Sequence, residues 1–168
     1  MKKVALAALM LSAVFVCDAL AATLEGRVVG VSDGDTVTVL TAENHQFKIR
    51  LSGIDAPEKK QPFGTFAKET LSRQLFGHAV VVEWTKTDRY GRIVGKVEVD
   101  GVDANLEQIR EGSAWVYTQY LRELPLEDRK LYLEAERLAK AGHRGLWRDA
   151  QPEPPWQWRR ERRSPKNS

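Results

Sequence analysis

The sequence predicts a small closed β-barrel of the OB type, mainly β with added α: five strands and three α-helices. Three observations predict it. Five short segments carry strand patterning, one helical pattern falls between the third and fourth of them, and two more helical patterns follow the fifth. No internal repeat is present, and 168 residues suit one domain with a substantial core.

Taken in order, Thr23 to Gly30 alternates weakly between apolar and polar residues, and Thr36 to Leu40 is β-branched, so both are predicted strands. Ala42-Glu43-Asn44 is a turn. From His45 to Ser52 the alternation returns, with Phe47, Ile49 and Leu51 on one face and Gln46, Lys48 and Arg50 on the other. Pro62 and Gly64 precede a helical pattern over Thr65 to Leu75, closed by Gly77. Ala79 to Thr85 and Ile93 to Val99 are strands on either side of the turn Asp88-Arg89-Tyr90-Gly91-Arg92. After the turn signal Asp100-Gly101, Val102 to Glu111 is helical and stops at Gly112. Leu126 to Ala141 is a long charged amphipathic helix, with Pro125 before it and Gly142 after it. Leu146 and Trp147 are expected to fold back on the barrel.

The two ends differ from this middle. Lys2 and Lys3, the apolar run Val4 to Val16 and the small-x-small Ala19-Leu20-Ala21 form a secretory signal pattern, with removal expected after Ala21 or, alternatively, Ala22. A run of about 13 apolar residues is too short to span a bilayer. Export to the periplasm or beyond is therefore the expectation, with no membrane association afterwards. The only cysteine, Cys17, falls inside the signal, and Val16 before it suits a lipid anchor poorly. The expected domain is 22–149. From Ala150 the composition shifts to Pro152, Pro154, Pro155, Trp156, Trp158 and arginines, read as a mobile tail that is either inert or a basic-aromatic arm for a polyanion.

The net charge of +3 belongs to this tail, where Arg159, Arg160, Arg162, Arg163 and Lys166 face Glu153 and Glu161. Residues 22–150 hold 19 basic and 20 acidic groups, so net charge gives no argument that the globular part binds nucleic acid. Without a cysteine outside the signal or a close histidine pair, a zinc site is disfavoured. His45, His78 and His143 all stand apart from the acidic motifs.

Those motifs carry the chemistry. Pro57 biases Ala56 towards extended backbone, so Asp55, the Ala56 carbonyl and Glu58 can offer oxygens to one point. Such a set suits a hard divalent cation, calcium before magnesium. Asp33 and Gly34 are also explained by turn chemistry, but Asp35 at a strand entrance is not. Bringing Asp35 beside Asp55 costs energy unless a cation sits with them. Arg50 and Arg92 add planar guanidinium forks that match phosphate oxygens. An acidic metal seat flanked by two such forks is what phosphodiester cleavage requires.

DGDT at 33–36, RLSGIDAPE at 50–58 and DRYGR at 88–92, in this order, resemble the staphylococcal-nuclease (thermonuclease) family over about Thr23 to Trp147. The resemblance implies an OB barrel with three helices and calcium-dependent cleavage of DNA and RNA that leaves 3′-phosphates. It implies Asp35, Asp55 and the Ala56 carbonyl as calcium ligands and Asp33 in the outer shell. Glu58 resembles the general base, and Arg50 and Arg92 the phosphate-binding arginines, Arg92 nearer the leaving 5′-oxygen. Arg89, Tyr90, Trp115 and Tyr117 resemble substrate-binding positions. Trp115 replaces a family tyrosine and reads equally as a core aromatic. Arg89 replaces a lysine, and Ala56 a threonine whose backbone oxygen is the group that matters. The expected protein is a monomer. The alternative is a catalytically weak nucleic-acid-binding or protein-interaction module on the same fold.

Overall fold

The computed structural model describes residues 22–163. The expected signal, residues 1–21 with Cys17, and residues 164–168 lie outside the described residues.

Eight strands and four α-helices follow one another along the described chain: β1 (Ala22–Val31), β2 (Thr36–Leu40), β3 (Gln46–Leu51), β4 (Ile54–Asp55), α1 (Gly64–Leu75), β5 (Ala79–Thr87), β6 (Ile93–Val99), β7 (Val102–Asp103), α2 (Ala104–Arg110), β8 (Trp115–Val116), α3 (Leu126–Ala141) and α4 (Pro155–Arg163). Antiparallel pairing runs β3-β2-β1-β5-β6, and a parallel β3–β6 pairing closes the ring through Ile49↔Ile93, Arg50↔Val94 and Leu51↔Gly95. This is the expected five-stranded barrel, and its closure leaves these strands without a free edge.

The inward positions of the alternating strands fill the barrel: Val28, Val37, Val39, Ile49, Leu51, Val80, Val82, Ile93 and Val97 are all buried. Ala67, Leu71 and Leu75, at helical spacing on α1, join the same core with Leu106 and Ile109 of α2 and Tyr132 and Ala135 of α3. Burying a side chain such as Leu71 contributes about 1.5–3 kcal/mol.

Four expectations change. Phe47 is 36 % exposed, because the first half of β3 is exposed on both faces and none of the described residues covers it. The helix expected from Val102 starts at Ala104, since Val102 and Asp103 pair with β6 and the Asp103 carboxylate caps α2 by accepting from the Leu106 N–H at 3.0 Å. Leu146 and Trp147 pack in a satellite cluster with Ala139, Phe63 and Trp115 rather than on the barrel. The expected mobile tail is helical over residues 155–163 and makes α4, a fourth helix.

Two buried amides of α2 set the ends of the strands that carry the acidic motifs. Gln108 Nε2 donates to Gly34 O at 2.7 Å and to Ala67 O at 3.1 Å, which locks the Asp33-Gly34-Asp35 turn to α1. Asn105 Nδ2 donates to Ser52 O at 3.0 Å and Gly95 O at 3.2 Å, while its Oδ1 accepts from Val97 N at 3.1 Å. Gly34 has no room for a side chain, since a Cβ there would lie 2.6 Å from the Ala67 Cβ and 2.7 Å from the Ala56 Cβ. Gly53, at φ +71°, turns the chain from β3 into β4.

Candidate active site

The ends of β2, β3 and β4, the β5–β6 turn, Tyr117 and α4 surround one open cleft of about 1180 Å³. Asp33, Asp35, Arg50, Asp55, Ala56, Glu58, Arg89, Tyr90, Arg92 and Tyr117, ten of the eleven residues expected at the site, line it. Trp115 does not. It packs edge-on against Trp147, with ring centroids 4.2 Å apart, and Lys140 lies over its ring at 5.5 Å. Its ring packs in the satellite cluster and also meets Trp156 edge-on, with centroids 5.7 Å apart. None of the three histidines lines the cleft.

Asp35 and Asp55, 20 positions apart in the chain, meet at one guanidinium. Arg50 Nη2 lies 3.2 Å from Asp35 Oδ2 and 2.9 Å from Asp55 Oδ1. Its Nη1 donates to the carbonyls of Leu51 and Ile54, each at 3.0 Å, so the planar fork is held in place by backbone as well as by charge. Arg50 thus places one positive charge between the two acids. Asp35 is fixed further: Oδ2 accepts from Ala56 N–H at 2.8 Å, and Oδ1 from the Thr36 hydroxyl at 3.0 Å. Asp33 Oδ1 accepts from Asp35 N–H at 3.1 Å.

The Asp55 carboxyl is raised to about 6 in all: burial pushes it up, Arg159 and Arg50 pull it down, and the Asp35 charge pushes it up. Asp33 is also raised to about 6, by burial and then by repulsion from Asp35. Among the described residues no three acidic, histidine or cysteine side chains form a ready metal cage. The donors present are still all hard oxygens, and burial is the main cause that raises Asp33 and Asp55. That chemistry fits a divalent ion of the calcium or magnesium type completed by water.

Across the cleft, the β5–β6 turn is built around Asp88. Its Oδ1 accepts from the backbone N–H groups of Tyr90 and Arg92, and its Oδ2 from Arg92 Nε at 2.7 Å. Burial alone would raise the Asp88 carboxyl, but these Arg92 and Tyr90 donors hold it below the usual range. Arg92 Nη1 reaches the Thr36 hydroxyl at 3.5 Å, which aims the guanidinium at the end of β2 where Asp35 sits. The Arg89 and Arg92 guanidinium groups lie over the exposed Tyr90 ring at 4.9 and 5.6 Å. A register shift in β5 between Trp84 and Lys86 bends the strand where it forms the cleft wall.

The family model described as staphylococcal nuclease homologue matches residues 48–149. The chain belongs to the staphylococcal nuclease family. Membership puts it among the nuclease hydrolases, which act on nucleic acid. The matched span contains Arg50, Asp55, Glu58 and Arg92, while Asp33 and Asp35 precede it. An "uncharacterized endonuclease" of Escherichia coli is 43 % identical over 149 residues, covering 87 % of this chain and 92 % of that protein. One of the same name from Haemophilus influenzae is 43 % identical over 135 residues, covering 80 % and 72 %. A "micrococcal nuclease" of Shigella flexneri is 35 % identical over 155 residues, covering 87 % and 86 %.

This staphylococcal-nuclease-family site contains groups that sequence reasoning missed. Glu58 Oε1 accepts from Arg159 Nη1 at 2.8 Å, and Arg159 also pairs with both oxygens of Asp55. Trp156 stacks parallel to Tyr117, with centroids 5.6 Å apart and 3° between the planes. Buried Gln61 accepts from the Glu58 N–H at 3.1 Å and donates to Glu153 O at 2.6 Å. A signal for α4 was present: Pro155 suits the first turn of a helix, and Trp156, Arg159, Arg160 and Arg163 share the i, i+3, i+4, i+7 spacing of one helix face. The buried α2 amides had no such signal.

Proposed function

We propose that the protein is an exported, monomeric, calcium-dependent nuclease that hydrolyses phosphodiester bonds of DNA and RNA with low sequence specificity and leaves 3′-phosphate ends. The meeting of Asp35 and Asp55 at Arg50, with Glu58 and Arg92 on walls of the same cleft, carries this reading. Glu58, with a partly exposed carboxylate, positions a water and takes its proton as the water oxygen bonds to phosphorus in line. The bond to the 5′-oxygen breaks, that oxygen takes a proton from solvent water, and Glu58 returns its proton to solvent. Arg50 and Arg92 offset charge on the phosphoryl oxygens, and Arg89, Tyr90 and Tyr117 hold the flanking nucleotide. Asp35, Asp55 and the Ala56 carbonyl would hold calcium, with Asp33 outside them. When bound, the ion supplies further neutralisation of the phosphate.

Export rests on the signal pattern of residues 1–21, and extracellular calcium at millimolar level fills a site with Kd of about 10⁻⁴–10⁻³ M. No helix among the described residues is long and apolar enough to cross a membrane. The test uses purified protein with plasmid DNA and with RNA, in calcium, in magnesium and in chelator. Cleavage in calcium with 3′-phosphate ends is the expected result. Nucleic acid bound but uncut in calcium would make the chain a binding module, and full activity with magnesium alone would end the calcium assignment. Periplasmic or culture fractions carrying the activity would support export.

A further inference from the structure

α4 presents a cation and a flat ring to the cleft on a single face. Arg159 Nη2 lies 2.7 Å from Asp55 Oδ2, and its Nη1 lies 3.2 Å from Asp55 Oδ1 and 2.8 Å from Glu58 Oε1. Asp55 is fully buried, and its oxygens are taken by Arg159 and Arg50. Three residues earlier, Trp156 covers Tyr117. The segment is tied down ahead of α4 by Gln61 Nε2 donating to Glu153 O.

From this arrangement we propose that α4 is a built-in occupant of the active cleft: Arg159 takes the place of the divalent cation at Asp55, Trp156 takes the place of a base on Tyr117, and α4 docking and metal binding exclude one another. A guanidinium brings one charge, and it reaches Asp55 and Glu58 but makes no ion pair with Asp35. A divalent ion brings two, so the acids favour it once its concentration is sufficient. The docked state also carries a cost, since Glu153 Oε1 is buried there with no hydrogen-bond partner among the described residues. The protein is accordingly closed when calcium is scarce and opens when calcium is plentiful. Its apparent calcium affinity is lowered by the fraction of molecules with α4 docked.

This inference rests on calcium binding at Asp35 and Asp55, and the experiment separates the two. Calcium alone is titrated calorimetrically, without nucleic acid, into the wild-type protein, Arg159→Gln and Arg162→Gln. Arg162 lies over Trp158 at 3.8 Å, does not line the cleft, and controls for the loss of one positive charge. Arg159→Gln should bind calcium about tenfold more tightly or better, and Arg162→Gln within about twofold of wild type. In the wild-type protein, amide exchange over residues 155–163 should be slow in chelator and fast in saturating calcium, a readout that stands even if Arg159→Gln fails to fold. Equal affinities in all three proteins, equal tightening by Arg162→Gln, or α4 still protected in saturating calcium would each overturn the competition while leaving the calcium site intact. No calcium binding in any of them would overturn both.

Discussion

Arg159 and Asp55, 104 positions apart in the chain, form a two-point ion pair inside the cleft, with Nη2 2.7 Å from Oδ2 and Nη1 3.2 Å from Oδ1. Asp55 is fully buried and already shares a contact with Arg50. A buried carboxylate stays ionised only where positive groups face it. Asp55 therefore ties the barrel, the acidic motif and the C-terminal helix into one electrostatic unit.

In the proposed reaction Glu58 is the group that takes the proton from water. Glu58→Gln keeps the side-chain length and the acceptor facing Arg159 but cannot take a proton. The expected result is an unchanged fold with cleavage slower by about 10²–10⁴ in saturating calcium. Single-turnover rates measure it, and a wild-type rate would remove Glu58 from the role.

Arg50→Lys tests the fork against simple charge. Lysine cannot make the two carbonyl contacts to Leu51 and Ile54 while also facing Asp35 and Asp55. A stability loss of about 1–3 kcal/mol in denaturant melts is expected, on the scale of buried polar groups left unpaired. Cleavage should fall with it. Full activity with unchanged stability would show that only the charge matters.

The raised acids predict a pH dependence of stability in chelator. Asp33 and Asp55 are both raised from 3.8 to about 6, so the folded state holds these protons more tightly than the unfolded chain. Their favourable contribution is complete below about pH 4 and is lost as pH rises through about 6. Each group contributes a slope of at most about 1.4 kcal/mol per pH unit in that window. Asp33→Asn, whose amide oxygen can still accept from Asp35 N–H, should flatten the slope in pH-dependent melts. An unaltered slope would mean that Asp33 does not titrate there.

Tyr132→Phe is the control away from the cleft. The fully buried Tyr132 hydroxyl donates to Asp103 Oδ2 at 2.9 Å and links α3 to the cap of α2. Its loss should cost about 1 kcal/mol, because the half-buried Asp103 oxygen loses its donor. The catalytic rate at a temperature where the variant is folded should not change. A large rate loss would show that α3 packing reaches the site.

The sequence by itself determined most of the elements and the chemical types in the site. β2, β6 and α3 match their predicted bounds, because strand alternation, β-branching, Pro125 and Gly142 act over a few neighbouring residues. The motifs holding Asp35, Asp55 and Glu58 were legible for the same local reason. Only the tertiary structure decided that Arg50 would join Asp35 to Asp55, that Gln108 and Asn105 would hold the loops beneath them, and that Trp115 would pack in the satellite cluster. It also decided the exposure of Phe47 and the docking of α4. Periodicity states which face of a segment is apolar; what covers that face, and which distant charge meets a buried acid, depends on how the whole chain closes on itself.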